Sequence, residues 1–388
     1  MNRSTEAPPQ MPKRPGSDAP PPIPLSSRPD LAALQASKPK PSAVPDASSC
    51  LHCRDFSAVD AHAARFLRQN LPSLDISWLA HQLCDPFPSH TDKARAIFTF
   101  LHHNIEYNVE AFFNNSLKPS TPGSTLATGL AVCEGYAGLF SALALAAGLE
   151  AIVVSGGSKG FGYKQLAPGE PLPLFKSTHA WNAVKIDNGE WKLIDACWGA
   201  GAIGEGRSYI KRFEPAMFTR DNAEFGKRHF PSDPSKWYAP PMTWEQFLLC
   251  DGVEEKVTVC GASNKEGIKE DSYLPLAKVI RKDRNLGPTV RFSCHYVCRH
   301  YNEKVNKGQP RLLVLCYGKE FVPMNTDGFF WWLDVDRSKL ESGTDVMMVT
   351  MLQFDGRDGR GLSAEQFKAR LGRQNGWDCT GTATWTAE

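Results

Sequence analysis

The chain has 388 residues and a formal net charge of +2, from 44 Lys and Arg against 42 Asp and Glu. That near balance excludes a dedicated nucleic-acid binder. A hydrophobic share of 41%, with 10 Trp and 21 Phe, is enough for real cores, and the length allows two folded domains plus a tail.

Residues 1–48 are dominated by Pro, Ser, Ala and Lys, with apolar residues too sparse for a core, and read as a disordered tail. Within it, Pro9 and Pro12 share one polyproline II face and Arg14 follows two residues on. SH3 grooves bind that arrangement, so an SH3-domain partner is one reading and a plain Pro-rich linker the other. The chain opens on Met1-Asn2-Arg3-Ser4 without an apolar leader, and no apolar run approaches the roughly 20 residues a membrane helix needs. A cytoplasmic protein with no membrane span is expected. The 11 Cys are odd in number, and several sit in apolar runs, so reduced thiols are expected rather than a disulfide framework.

Cys50-Leu51-His52-Cys53 supplies only two of the four ligands a zinc ion wants. A second pair, Cys294 and Cys298, falls in a different predicted domain, so these are read as thiols without metal. Helical periodicity follows over 58–71, 74–84 and 93–106, the last with Ser89 to Asp92 at its start. Residues 113–130, rich in Asn, Ser, Thr, Pro and Gly, read as a loop forming one wall of a cleft.

The stretch 125–201 carries the chemistry. Cys133 opens an apolar run at helical spacing, with Tyr136, Leu139, Phe140 and Leu143 on one face, which puts its thiol in the first turn of a buried helix. Backbone N–H groups and the helix dipole favour an anion there. Residues 150–155 follow as a strand, then a Gly- and Pro-rich insertion, 156–176, expected to gate the site. His179 begins a strand over 179–186, Asp187-Asn188-Gly189 makes a turn, and 190–195 returns to Asp195. One hairpin thus carries an imidazole and a carboxylate, with a thiol on the preceding helix: nucleophile, base and orienter. Taken singly, each has a plainer reading as a core Cys, a packed His or a capping Asp. Asn182 is an alternative orienter for the imidazole. Trp181 and Trp198 flank the hairpin, primarily as packing residues and secondarily as walls of a substrate groove.

These pieces, Cys133-Glu134-Gly135-Tyr136, His179-Ala180-Trp181-Asn182 and Trp191 through Asp195 to Trp198, resemble the transglutaminase-like superfamily. Arg228-His229-Phe230-Pro231 and Trp237 resemble its kyphoscoliosis peptidase branch, whose neighbourhood includes fungal cytokinesis proteins. The resemblance covers about 90–240. It implies an α+β protein: a papain-like transglutaminase core at 49–250, then a C-terminal β-sandwich-like domain at 251–388. It matches Cys133, His179 and Asp195 to the family's catalytic positions, and Tyr107 to a helper in the oxyanion hole. The implied activity is cysteine-dependent acyl transfer on protein amides: peptidase, deamidase or cross-linking. The alternative is a non-enzymatic scaffold with SH3 and cytoskeletal or division-site partners. No acidic cluster suits calcium, so an enzyme without metal or cofactor is expected.

Residues 202–240 read as a polar wrap. Beyond 251, strand-like runs at 256–260, 289–297, 311–316, 329–334, 346–354 and 380–386, with one helix at 363–371, suggest the sandwich. Phe329 to Trp332 reads as its core.

Overall fold

A computed structural model describes residues 50–166, 169–249, 255–281, 287–300, 309–373 and 376–388. The tail with Pro9, Pro12 and Arg14 lies outside them.

Three helices build the first layer: α1 (Ser57–Ala63), α2 (Ile76–Cys84) and α3 (His90–Asn104). Asp75 and Ser89 cap α2 and α3 by accepting from Trp78 N and Asp92 N. The helix expected over 58–71 stops at Ala63. Beyond it, the Asn104 amide receives the Arg68 N–H at 2.6 Å and donates to Phe66 O at 2.9 Å, so tertiary bonds replace the helical ladder.

After α3 come β1 (Glu106–Tyr107), α4 (Val109–Phe113), α5 (Pro122–Thr128) and β2 (Leu130–Ala131). The helix α5 lies inside the expected loop. Its start has a Thr121/Ser124 capping box with Pro122 in the first turn, and its end has Gly129 at φ 71°. The signals were present in one polar, seven-residue element without an apolar stripe. Next, α6 (Cys133–Ala146) runs through the core with Tyr136, Leu139, Phe140 and Leu143 buried.

Against α6 lies a sheet in the order β5-β4-β3-β8, formed by β3 (Ala151–Ser158), β4 (His179–Lys185), β5 (Trp191–Ile194) and β8 (His229–Pro231). The hairpin is as read: Asn182 faces Ile194 and Lys185 faces Trp191, closed by Gly189 at φ 76°. β3 is longer than expected because Gly156, Gly157 and Ser158 pair with β8. A Cβ on Gly156 would sit 2.0 Å from Phe230 O, so β8 approaches this closely only over glycine. After α7 (Ala196–Ala200), the supposed polar wrap thus contains a sheet strand, together with β6 (Gly201–Ile203), β7 (Tyr209–Lys211) and two short helices, α8 (Ala216–Thr219) and α9 (Asn222–Gly226).

The C-terminal part holds two sheets over one apolar cluster. One contains strands Leu313–Tyr317, Asp345–Phe354 and Trp377–Ala387; the other pairs Thr289–His295 with Phe330–Asp336. Phe292 meets Trp385 edge-on at 5.1 Å, and Cys294 Sγ meets Met348 Sδ at 3.5 Å across the sheets. Trp331 is buried, as its run suggested. The expected helix spans Ala364–Arg370, with a Ser363/Gln366 capping box. Lys269 reaches back to Asp221 at 3.2 Å, one of the ion pairs linking this part to the α9 region. Among the described residues no helix is long and apolar enough to cross a membrane.

Candidate active site

Cys133 sits where β2 turns into α6. β1 holds β2 in place through Glu106 N to Gly129 O and Asn108 N to Ala131 O, at 2.8 and 2.9 Å. Intrahelical bonding begins with Gly135 N and Tyr136 N on Val132 O, so the preceding N–H groups stand at the open head of the helix. No side chain caps this end. The Cys133 residue is half-buried.

His179, at the first position of β4, donates from Nε2 to Asp195 Oδ2 at 2.7 Å, and its ring also hydrogen-bonds the Cys133 thiol. With Nε2 on the carboxylate, Nδ1 is left for the sulfur. Burial opposes charge on His179, yet the Asp195 carboxylate, with help from Cys133, holds the imidazole up at about 10. Asp195 is fully buried. Burial raises its pKa, but His179 and His229 outweigh that and hold it well below the carboxylate range. Its other oxygen caps α7, accepting from Trp198 N at 2.9 Å.

Sequence reasoning missed one member. His229 Nε2 lies 3.0 Å from the same Asp195 Oδ2, and its Nδ1 lies 3.2 Å from Phe225 O. Burial first, then the charge of His179, pushes His229 down to about 4 against the pull of Asp195, so the ring is neutral at pH 7. A neutral imidazole has one N–H for two acceptors; the shorter, charge-assisted bond to the carboxylate takes it. Arg228-His229-Phe230-Pro231 is the local signal for it, but nothing in the spacing says that β8 adds to the sheet beside β3. His179, Asp195 and His229 also bring three ligand atoms within 4.8 Å. Here they hold one another.

The aromatic neighbours divide the expected roles. Trp198, half-buried, stacks on His179 with ring centroids 4.8 Å apart. Trp181 is 1% exposed and packs edge-on to His229 at 5.0 Å, so it supports the imidazoles from inside and does not wall a groove. Asn182 does not orient His179: its amide donates to Ala137 O at 2.9 Å and Ile152 O at 3.2 Å, tying α6 to β3. Tyr107 is half-buried; burial, then the charges at Cys197 and Cys133, raise its phenol, leaving a neutral O–H near the thiol. Over the loop that follows β3, Phe161, Leu172 and Leu174 are exposed, and Gly160 lies against Trp198.

Residues 79–196, which include all three predicted site residues, match the transglutaminase-like superfamily. This part of the chain is similar to the core domain of that superfamily. The chain resembles the kyphoscoliosis peptidase-like branch: it is 34% identical over 202 residues to the mouse kyphoscoliosis peptidase, covering 51% of this chain and 29% of that protein. Against the human kyphoscoliosis peptidase it is 32% identical over 214 residues, covering 48% and 31%. The Lim and transglutaminase domain protein ltd-1 of Caenorhabditis elegans is 29% identical over 237 residues, covering 57% and 32%. The chain thus spans about three-tenths of the length of these relatives. Among solved structures, red sea bream transglutaminase aligns over 78% of this chain and 62% of its own, at 8% identity and a TM-score of 0.27.

Proposed function

We propose that this protein is a cysteine-dependent acyl-transfer enzyme acting on protein amide groups. The observation that carries this reading is the His179 ring, held at 2.7 Å on a buried carboxylate and hydrogen-bonded to a half-buried thiol at a helix head. Cys133 sulfur attacks the amide carbon, forming the S–C bond. The leaving nitrogen takes the proton from His179 Nδ1 as the C–N bond breaks. Water or an amine then attacks the thioester, gives its proton back to His179, and releases Cys133. Asp195 fixes the ring and balances its charge. His229 fixes Asp195. The N–H groups at the start of α6 and the neutral Tyr107 hydroxyl suit the oxyanion. Trp198, stacked on the base, walls the acyl groove.

The test incubates the full chain with a glutamine-containing protein, with and without a biotinylated primary amine. Amine incorporation, ammonia release and peptide cleavage are followed in the wild type, Cys133→Ala and His179→Ala. At least one activity is expected, and it disappears in both variants. No activity in any channel, or activity that persists in Cys133→Ala, overturns the reading. The recruitment reading, with Pro9, Pro12 and Arg14 as an SH3 ligand and a cytoskeletal or division-site address in the cytoplasm, rests on residues outside those described. Binding of the 1–48 peptide to an SH3 array, lost in Arg14→Ala, is its test.

A further inference from the structure

Far along the sequence from the Cys-His-Asp site, the structure brings together Cys50, Cys53, Cys298 and His300, whose ligand atoms all lie within 4.8 Å of one another. Spacing alone sets the first pair apart from the C-terminal half and pairs Cys298 with Cys294. Cys294 instead points into the sandwich core against Met348. His300, two residues beyond Cys298, takes the fourth place.

We propose that these four residues form a structural zinc site that clips the segment before α1 to the C-terminal sheets. Three sulfurs and one imidazole nitrogen make a full tetrahedral donor set of the kind zinc prefers, with no open position. In such a site the ion lies ~2.3 Å from sulfur and ~2.0 Å from nitrogen, so donors stand roughly 3.5–3.8 Å apart. A cluster already within 4.8 Å needs only a small contraction. Cys50, Cys53 and His300 are half-buried and Cys298 is buried, as suits a site closed by its own ligands.

Two further observations point to a ligand. The Cys298 thiol and the His300 ring both hydrogen-bond Cys50, so the donors already face one another. And both sides of the site are held by the fold. Arg54 N donates to Cys50 O at 2.9 Å, closing the Cys50–Cys53 turn, while Val297 N donates to Gly267 O at 2.8 Å beside Cys298. Zinc entry costs no redox partner: three thiols lose their protons to solvent, and three thiolates and a neutral imidazole donate to the dication, leaving one net negative charge.

The arrangement ties the clip to the hairpin that carries the base. The residue after Cys53, Arg54, bonds Asp92 at 2.8 Å and Asp187 at 3.3 Å. Asp187 is the turn residue between β4 and β5, and it also accepts from Ser89 Oγ and His90 N, both at 2.6 Å. Zinc would therefore hold Arg54 against the hairpin that presents His179 and Asp195.

The test measures metal in the untagged full chain, purified under reducing conditions, incubated with equimolar zinc and gel-filtered. About one zinc per chain is expected, falling at least tenfold in Cys53→Ser and in Cys298→Ser and unchanged in His229→Ala. Should the Cys variants fail to fold, cobalt replacement in the wild type decides. Thiolate-to-cobalt charge-transfer bands with the strong d–d absorption of a tetrahedral site support the proposal, and a weak octahedral spectrum overturns it. Metal lost in His229→Ala but kept in Cys298→Ser, less than about a tenth of an ion per chain, or a Cys50–Cys298 disulfide in the reduced preparation would each overturn it too.

Discussion

Behind Cys133 the sheet buries His179, Asp195 and His229, three ionisable side chains that satisfy one another. The C-terminal sheets instead close over Phe292, Trp331, Met348 and Trp385. The first core is directional. Asp195 accepts from two imidazoles and a backbone N–H, so losing one partner strands the others. The second is held by shape and area, where a lost side chain leaves a cavity and nothing charged. The comparison teaches that stability and reactivity are coupled in the first core and separable in the second.

The largest expected effect breaks the first core. Asp195→Ala leaves two buried imidazoles without their carboxylate and should cost ~3–5 kcal/mol in urea unfolding, while abolishing fast alkylation of Cys133. Phe292→Ala should cost a similar ~3–5 kcal/mol through its cavity. In that variant, alkylation of Cys133 under native conditions should stay at the wild-type rate. If Phe292→Ala slows the thiol as much as Asp195→Ala, the two cores are not separable.

Acid sharpens the contrast. His229 is held to about 4 in the fold and titrates near 6.5 when unfolded, so below pH 6.5 the unfolded chain takes a proton the fold refuses. Stability should fall as pH drops from about 6.5 toward 4, by up to ~3 kcal/mol. His179 has the opposite sign: held to about 10, its contribution is complete below about 6.5 and is lost as pH rises toward 10. Urea midpoints at several pH values should show the acid limb in the wild type and a flatter one in His229→Gln. The smallest effect is at the hairpin turn. Asp187→Ala removes bonds to Ser89, His90 and Arg54 and should cost ~1–2 kcal/mol, measured by thermal melting.

Local signals made much of this legible. Cys133 at the head of an apolar helix and an Asp-Asn-Gly turn joining His179 to Asp195 are short-range patterns, and the fold uses them as read. The strands of the C-terminal sheets followed alternation and turn residues in the same way. What stayed hidden was long-range. β8 joins the sheet because Gly156 lets Phe230 O approach, and no local rule brings 229–231 beside 156–158. His300 meets Cys50 from 250 residues further along the chain, while Cys294, four residues before Cys298, faces inward. The helix α5 was missed for the opposite reason: its caps are local and clear, but it has no apolar stripe to announce it.

The most direct test of the central claim is the alkylation rate of Cys133 with a small iodoacetamide reagent. It should be followed by mass from pH 5 to 9 in the wild type and in His179→Ala. The account predicts rapid modification even at about pH 6 and at least a tenfold loss in His179→Ala, because the imidazolium held by Asp195 supports the reactive sulfur. Slow modification at about pH 6 that is indifferent to His179 would contradict it, leaving a fold that keeps these residues without joining them in chemistry.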